Sequence, residues 1–277
     1  MPYHQYIFTI SEQENRDIAI ALLNGAIVEG FEEKGNELIA VTKEEIPKET
    51  LNELIDLLNV TYSRSITEEV NWNTVWEAGF QPIKVVYPDR DKVFAYVRAN
   101  FHDPLNDADY DLMITPKMSF GTGHHATTYG MISYMSSIQF ENRVVVDFGT
   151  GTGLLAILAE KMGAKSVLAI DYDPWCITNA TENISANECR NIKLKQSDHF
   201  EILTRPDIIL ANINLNIIKS NLPAIAESCS DDTVLLFSGL LLADETDVLN
   251  ALYEVNITES AIIKNDGWLI IAAKKGR

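Results

Sequence analysis

Residues 144–153 have the sequence Val-Val-Val-Asp-Phe-Gly-Thr-Gly-Thr-Gly, and this stretch decides the fold. The three valines predict a buried parallel strand, because a strand covered on both faces is a continuous apolar run. The alternating glycines predict a tight turn that a ligand can approach closely, since glycine has no side chain to block it. A helix packed back on the sheet is indicated by the apolar residues that follow, Leu154, Leu155, Ile157 and Leu158. Together these features predict a nucleotide-type cradle.

The spacing of the glycines limits the class of ligand. Pyrophosphate-binding turns carry Gly-x-Gly-x-x-Gly, whereas here the third glycine comes one residue early and Leu154 follows it. Asp147 places a negative charge beside the turn, which suits a cationic ligand better than a phosphate. The next predicted strand, residues 166–171, ends on Asp171. In such folds an acidic residue about 20 positions past the glycines holds the ribose hydroxyls of the ligand.

Two further parts of the chain are candidates for ligand contact. Residues 114–128 place glycines, histidines and threonines between apolar elements, which predicts a binding loop. Thr127 or Thr128 is expected to cap the helix that follows. A later predicted strand ends on Asn212, at the carboxyl edge of the sheet where α/β proteins place their ligands.

The first 67 residues have a strand and helix pattern of their own. Predicted strands at 6–10, 26–32, 37–42 and 60–66 alternate with two amphipathic helices. The order βαββαβ predicts a small ferredoxin-like α+β domain at residues 1–67, which is commonly a recognition module.

The rest of the chain is predicted to be a linker and an α/β domain. Residues 68–82 are expected to form a linker with a short helix, since Trp72, Trp76 and Phe80 recur every four residues. Residues 83–277 are expected to form the second domain. Within it, Pro223 is expected to interrupt a helix.

Composition bounds the class of protein. No apolar run approaches the roughly 18 residues of a membrane helix, and the N-terminal sequence lacks a signal region. Cys176, Cys189 and Cys229 are widely spaced, which predicts reduced thiols, a cytoplasmic protein and no metal site.

The net charge bears on the partner. Asp and Glu number 40 against 22 Lys and Arg, a net charge of −18. Because nucleic-acid binding rests on basic side chains, we expect no direct binding to nucleic acid. An acidic surface attracts basic partners, and the alternative is that the acidity serves solubility alone.

Several motifs resemble those of known methyltransferases. Asp147-x-Gly149-x-Gly151-x-Gly153 followed by Asp171 resembles the class I S-adenosylmethionine-dependent methyltransferases. The loop pattern Phe-Gly-Thr-Gly-x-His-x-Thr-Thr of residues 120–128 is more specific. It resembles the signature of PrmA, the family that methylates the eleventh protein of the bacterial large ribosomal subunit. The similarity extends over most of the chain, including residues 170–174 and 211–213.

The resemblance implies a Rossmann-like class I methyltransferase domain that uses S-adenosylmethionine and methylates lysine or N-terminal amines of a basic ribosomal protein. A monomer without membrane contact is expected. The implied cofactor contacts are Thr128, Gly149, Asp171 and Asn212, with Gly151 in the turn and Phe120, Gly121 and Thr122 in the loop. Asp198 is placed by resemblance near the adenine amino group, the alternative being a helix cap before Phe200. Asn212 is also the candidate catalytic residue, which orients the incoming amine.

Other functions stay open from sequence alone. A glutamine or nucleic-acid-base methyltransferase normally carries Asn-Pro-Pro-aromatic after this strand, whereas residues 212–215 are Asn-Ile-Asn-Leu. The principal alternative is a class I methyltransferase acting on another protein or on a small molecule. A binding protein without turnover is a third possibility.

Overall fold

The computed structural model describes residues 3–23, 28–67, 80–115 and 121–276. The chain divides into two compact units, Met1–Ala78 and Gly79–Arg277. Each unit has a hydrophobic core of its own. Among the described helices, none is long and apolar enough to span a membrane.

The described part of the first unit, residues 3–23 and 28–67, is a four-stranded antiparallel sheet with two helices. Its elements are β1 (Tyr3–Thr9), α1 (Gln13–Leu23), β2 (Val28–Lys34), β3 (Glu37–Thr42), α2 (Lys48–Leu58) and β4 (Tyr62–Thr67). The strands lie in the order β2-β3-β1-β4, and every neighbouring pair is antiparallel. Tyr6, Phe8, Leu38 and Leu54 are buried between the sheet and the helices. The order of elements is that of a ferredoxin-like unit.

The predicted linker, residues 68–82, lies largely outside the described residues. Trp72 and Trp76 fall in that part, so the linker helix stays a prediction. Phe80 is described and buried, with its ring 4.7 Å from the ring of His124 in an edge-on arrangement.

The second unit contains a seven-stranded sheet and a three-stranded sheet. The small sheet consists of β5 (Ile83–Val86), β6 (Val93–Arg98) and β7 (Tyr110–Met113). The strands of the large sheet are β8 (Val144–Phe148), β9 (Ser166–Asp171), β10 (Ile192–Gln196), β11 (Ile208–Asn212), β12 (Val234–Leu241), β13 (Ile257–Asn265) and β14 (Trp268–Lys275). The helices are α3 (Ala126–Met135), α4 (Leu154–Lys161), α5 (Pro174–Ala186), α6 (Leu215–Ser228) and α7 (Glu245–Glu254), with a short 3₁₀ helix at Leu242–Asp244.

The strand order of the large sheet places its candidate site. The order is β10-β9-β8-β11-β12-β14-β13, with β14 antiparallel to both of its neighbours. β8 lies between β9 and β11 and is parallel to both. The chain therefore winds in opposite directions from β8, and a crevice opens where the carboxyl ends of these three strands meet. The predicted α/β fold of the methyltransferase class is confirmed.

One sequence prediction about this unit is wrong, and one strand was not predicted. Pro223 does not interrupt its helix, since α6 continues through it and buries Ile218, Leu222 and Ile225. The burial of this apolar stripe offsets the hydrogen bond that proline cannot donate. The strand β7 was not predicted, because four residues with one fully buried side chain show too little alternation.

Candidate functional site

The site is built on the glycine turn between β8 and α4. Gly149, Gly151 and Gly153 have φ angles of 80°, 54° and 80°, which L-residues with side chains rarely adopt. The backbone N–H groups of Gly149 and Thr150 both donate to the Ile170 carbonyl, at 2.8 and 2.9 Å. These bonds fasten the turn to β9. A Cβ atom at Gly149 would lie 2.2 Å from Cγ2 of Ile213, so the turn also packs tightly against the residue after β11.

Asp171 holds the middle of this turn. Its Oδ2 accepts a hydrogen bond from the Gly151 N–H at 2.8 Å, and its Oδ1 accepts one from the Asp173 N–H at 3.0 Å. The side chain is buried, with 7% exposed. Because each carboxylate oxygen has two lone pairs, Asp171 can accept further bonds from ligand hydroxyls after fixing the turn.

Asp147 is a buried carboxyl group at the carboxyl end of β8. Its Oδ2 accepts a hydrogen bond from the Thr150 hydroxyl at 2.6 Å, while its Oδ1 has no partner. Burial raises the pKa of Asp147 to about 7, and the nearby charge of Asp171 adds to the increase, whereas the bond from Thr150 and the nearby backbone N–H of Ala156 oppose it. A cationic ligand beside the free oxygen would stabilise the ionised form.

Asn212 and Thr128 meet beside the turn although 84 positions separate them in sequence. The Asn212 Nδ2 donates to the Thr128 hydroxyl at 3.1 Å, and both side chains are buried. The Asn212 Oδ1 is buried without a partner. An amide oxygen in this state has unused capacity to accept a hydrogen bond.

Helix α3 brings Thr128 to Asn212. Neither Thr127 nor Thr128, the two predicted capping residues, caps this helix. The cap is His125. Its ring nitrogen Nδ1 lies 3.4 Å from the backbone nitrogen of Thr127 and 2.8 Å from the Thr127 hydroxyl. Thr127 and Thr128 instead belong to the first turn of α3 and are buried. His125 takes this place because α3 begins at Ala126, and its ring also packs edge-on against Trp268, with ring centres 4.7 Å apart.

The predicted loop contacts are described only in part. Phe120 lies outside the described residues. The Gly121 carbonyl accepts a hydrogen bond from the Thr152 hydroxyl at 2.7 Å, which brings the loop to the glycine turn. The Thr122 hydroxyl lies 3.2 Å from Nδ1 of His124.

Asp198 follows β10, at the same edge of the sheet as Asp171. The neighbouring Ser197 N–H donates to the Asp171 carbonyl at 2.9 Å. The Asp198 side chain is 74% exposed and lies 3.5 Å from Nε2 of His199. The alternative role as a helix cap is wrong, because none of the described residues between β10 and β11 is helical.

Sequence reasoning missed the asparagines of α5. Asn183 and Asn187 hydrogen-bond to Thr115 and Met113, at the end of β7. The available signal was the recurrence of Asn at 179, 183 and 187, once per helical turn.

The described residues contain no group of three or more His, Cys, Asp or Glu side chains placed to hold a metal ion. The chemistry of the site is instead that of hydrogen-bond acceptors. Asp147, Asp171 and Asn212 present oxygen atoms at the ends of three adjacent strands. This arrangement suits a ligand that carries hydroxyl donors and positive charge.

The Asp147→Asn substitution should stabilise the ligand-free protein in a pH-dependent way. The ordinary pKa of this carboxyl group is 3.8 and the folded value is about 7, so folding disfavours its ionisation. The wild type therefore loses stability relative to the variant as pH rises from about 4 to 7, and the difference is constant above that range. Its upper bound is about 4 kcal/mol, because a tenfold change in an equilibrium corresponds to about 1.4 kcal/mol.

Urea unfolding of both proteins at pH 4 to 8 measures this difference. A stability difference that does not change with pH would contradict the raised pKa of Asp147.

A family model described as "Ribosomal protein L11 methyltransferase (PrmA)" matches residues 11–276. A ribosomal protein L11 methyltransferase of Porphyromonas gingivalis is 39% identical over 210 residues, which cover 75% of this chain and 70% of that protein. Another, of Chlorobaculum parvum, is 33% identical over 266 residues, which cover 91% and 90% of the two chains. The crystal structure of the ribosomal protein L11 methylase of Lactobacillus delbrueckii subsp. bulgaricus matches with a TM-score of 0.65 and 25% identity, over 72% of this chain and 100% of that one. The predicted resemblance is thereby confirmed, and the chain belongs to the ribosomal protein L11 methyltransferase family, PrmA.

Proposed function

We propose that this chain transfers methyl groups from S-adenosylmethionine to lysine or N-terminal amines of ribosomal protein L11. The family assignment and the names of the relatives support this reaction. The observation that carries the proposal is the set of acceptor side chains at the ends of β8, β9 and β11. Two of them, Asp147 and Asn212, have a buried oxygen without a partner.

S-adenosylmethionine has the chemistry that this cluster requires. It carries ribose hydroxyls, an ammonium group and a sulfonium charge, whereas the cluster offers carboxylate and amide oxygens. A buried acceptor without a partner is costly, and a donor on the ligand would remove that cost for Asp147 and for Asn212. We therefore assign the cofactor site to this crevice.

Individual residues are proposed to hold different parts of the cofactor. Asp171 accepts bonds from the ribose hydroxyls, and Gly149 and Gly151 leave room for the methionine portion. Thr128 and Asn212 line the same crevice beside the turn. The remaining proposed contacts are Phe120, Gly121 and Thr122 in the loop and Asp198 near the adenine amino group.

When bound, the cofactor supplies a strongly electrophilic methyl group, so the protein needs mainly to place the amine in line with it. The amine must be neutral, whereas a free lysine has a pKa of about 10.4. Desolvation in the buried crevice favours the neutral amine. The free Oδ1 of Asn212 accepts a hydrogen bond from that amine and thereby orients its lone pair. An amide is too weak a base to remove the proton itself.

The first domain, residues 1–67, is proposed to recognise the protein substrate. Its hydrophobic core is separate, and all the proposed cofactor contacts lie beyond residue 119. A tethered recognition domain raises the local concentration of substrate amines at the second unit. The net charge of −18 also suits a basic partner.

Labelled cofactor incubated with the separated large-subunit proteins tests the reaction, with mass spectrometry to locate the label. We expect label on amines of L11 with the full chain. We expect none with a chain that begins at residue 79, although calorimetry should show that it still binds the cofactor. Label on other proteins only would contradict the proposed substrate. Full activity of the shortened chain would contradict the role of the first domain.

The Asp171→Ala substitution should weaken cofactor binding at least tenfold. A charge-assisted hydrogen bond contributes roughly 1.5–3 kcal/mol, and the change removes the acceptor of the ribose hydroxyls. Titration calorimetry measures the affinity. Asp173→Ala is the matched control, because Asp173 caps α5 through the Trp175 N–H at 2.8 Å and is not a proposed cofactor contact. Equal affinities of wild type and Asp171→Ala would remove Asp171 from the site.

The Asn212→Ala substitution should lower the rate at saturating cofactor, because the amine loses the acceptor that orients it. Asn214→Ala serves as the control, since Asn214 is an exposed cap that accepts from the Ile217 N–H at 3.1 Å. Steady-state kinetics with L11 separate a loss of cofactor affinity from a loss of rate at saturating cofactor. A variant that binds cofactor weakly but reacts at the normal saturated rate would show that Asn212 contacts cofactor alone.

A further inference from the structure

Asparagine recurs every four residues at the same side of α5, at Asn179 and Asn183 within the helix and at Asn187, its C-cap. Residues four apart lie on the same side of a helix. Asn179 is 1% exposed and Asn183 is fully buried. Asparagine is a poor residue for a helix interior, and a buried amide is costly without hydrogen bonds. The burial of these amides is therefore to be explained by the groups that they bind.

The Asn183 amide joins two distant parts of the chain. Its Nδ2 donates to the Thr152 carbonyl at 2.8 Å, between the second and third glycines of the turn. Its Oδ1 accepts from the Thr115 N–H at 2.8 Å, two residues after β7 ends. One side chain thus bonds the glycine turn to the point where the chain leaves the small sheet.

Thr152 forms a hydrogen bond through its side chain as well. Its hydroxyl donates to the Gly121 carbonyl at 2.7 Å, and the side chain is fully buried. A relay of hydrogen bonds therefore runs from Thr115 through Asn183 and Thr152 to Gly121. The two residues at its ends flank residues 116–120, and both are tied to the same point of the glycine turn.

We propose that Asn183 and Thr152 are positioning residues that hold Thr115 and Gly121 in register with the glycine turn and thereby set the affinity for cofactor. The inference rests on the proposed function, because Gly121 and Thr122 are proposed cofactor contacts. Both side chains are fully buried, so they act through the backbone that they bind.

Asn187, the half-buried C-cap of α5 four residues after Asn183, provides a comparison. Its Oδ1 accepts from the Met113 N–H at 3.0 Å and its Nδ2 donates to the Met113 carbonyl at 2.5 Å. It thus ties the same helix to the same strand, and its side chain forms no hydrogen bond with the glycine turn. A role in stability alone predicts similar effects for Asn183 and Asn187, whereas a positioning role separates them.

The first test compares Thr152→Val with Thr152→Ser in the full chain. Valine has nearly the shape of threonine but cannot donate to Gly121, whereas serine keeps the hydroxyl. We expect S-adenosylhomocysteine, used as the probe in calorimetry, to bind about fivefold more weakly to Thr152→Val, the effect of one hydrogen bond. Thr152→Ser should bind within about twofold of the wild type. Equal affinity of the valine variant and the wild type would overturn the proposal.

The second test compares Asn183→Asp with Asn187→Asp. The aspartate at 183 can still accept from Thr115 but cannot donate to the Thr152 carbonyl, so we expect at least fivefold weaker binding of the probe. The Asn187→Asp variant should lose stability in urea without this loss of affinity. Equal losses of affinity in the two variants would overturn the proposal.

The double variant Thr152→Val/Asn183→Asp should lose less affinity than the product of the two single effects, because both act on the same segment. If Asn183→Asp does not fold, the comparison of valine with serine at 152 decides alone. A wild type that does not bind the probe would overturn the proposed function together with this inference. Normal binding by the wild type and by both single variants would overturn the inference only.

Discussion

The hydrogen bond from the Gly151 N–H to the Asp171 carboxylate is the interaction on which the site depends. It joins the turn after β8 to the end of β9, at 2.8 Å, in a buried environment. The same carboxylate also receives the Asp173 N–H and so fixes the start of α5. The shape of the cradle and its capacity to accept ligand hydroxyls therefore come from one group. This dual role explains why a carboxylate is needed at 171, since its two oxygens supply enough lone pairs for the backbone and for a ligand.

Asp147, the second acidic residue, differs from Asp171 in its contribution to stability. Asp147 is bonded through one oxygen only, and burial raises its pKa to about 7. The folded protein therefore keeps a carboxyl group in a place where its ionisation is unfavourable. Such a group is a poor contributor to stability, but its free oxygen is well suited to a cationic ligand. Asp171 therefore has a structural role beside its proposed contact with the ligand, whereas the open acceptor of Asp147 has no partner within the protein.

The sequence predicts those parts of the site that follow directly from a strand and the turn after it. The glycine turn, Asp171 and Asn212 each lie at the end of an apolar run, so the sheet order alone brings them together. The sequence does not predict interactions between distant segments. Asn183 bonds to Thr115 across 68 positions and Thr152 bonds to Gly121 across 31, and no local pattern pairs these residues. The prediction of the helix cap was wrong because α3 begins at Ala126, which places His125 before the helix and both threonines in its first turn.

The orientation of Asn212 depends on the residue that follows it. The Ile213 N–H donates to the Ser238 carbonyl at 3.1 Å, and the pairing of β12 with β14 becomes irregular at this point. A Cβ atom at Gly239 would lie 2.6 Å from the Ile213 carbonyl oxygen, so only glycine there lets the backbones approach. The Ile213 side chain in turn packs against Gly149. Ile213 is thus held between two glycines, and this fixes the backbone on which Asn212 is presented. Within the protein, the Asn212 amide is oriented by its hydrogen bond to Thr128 and by the packing of the residue that follows it, which leaves its Oδ1 without a partner.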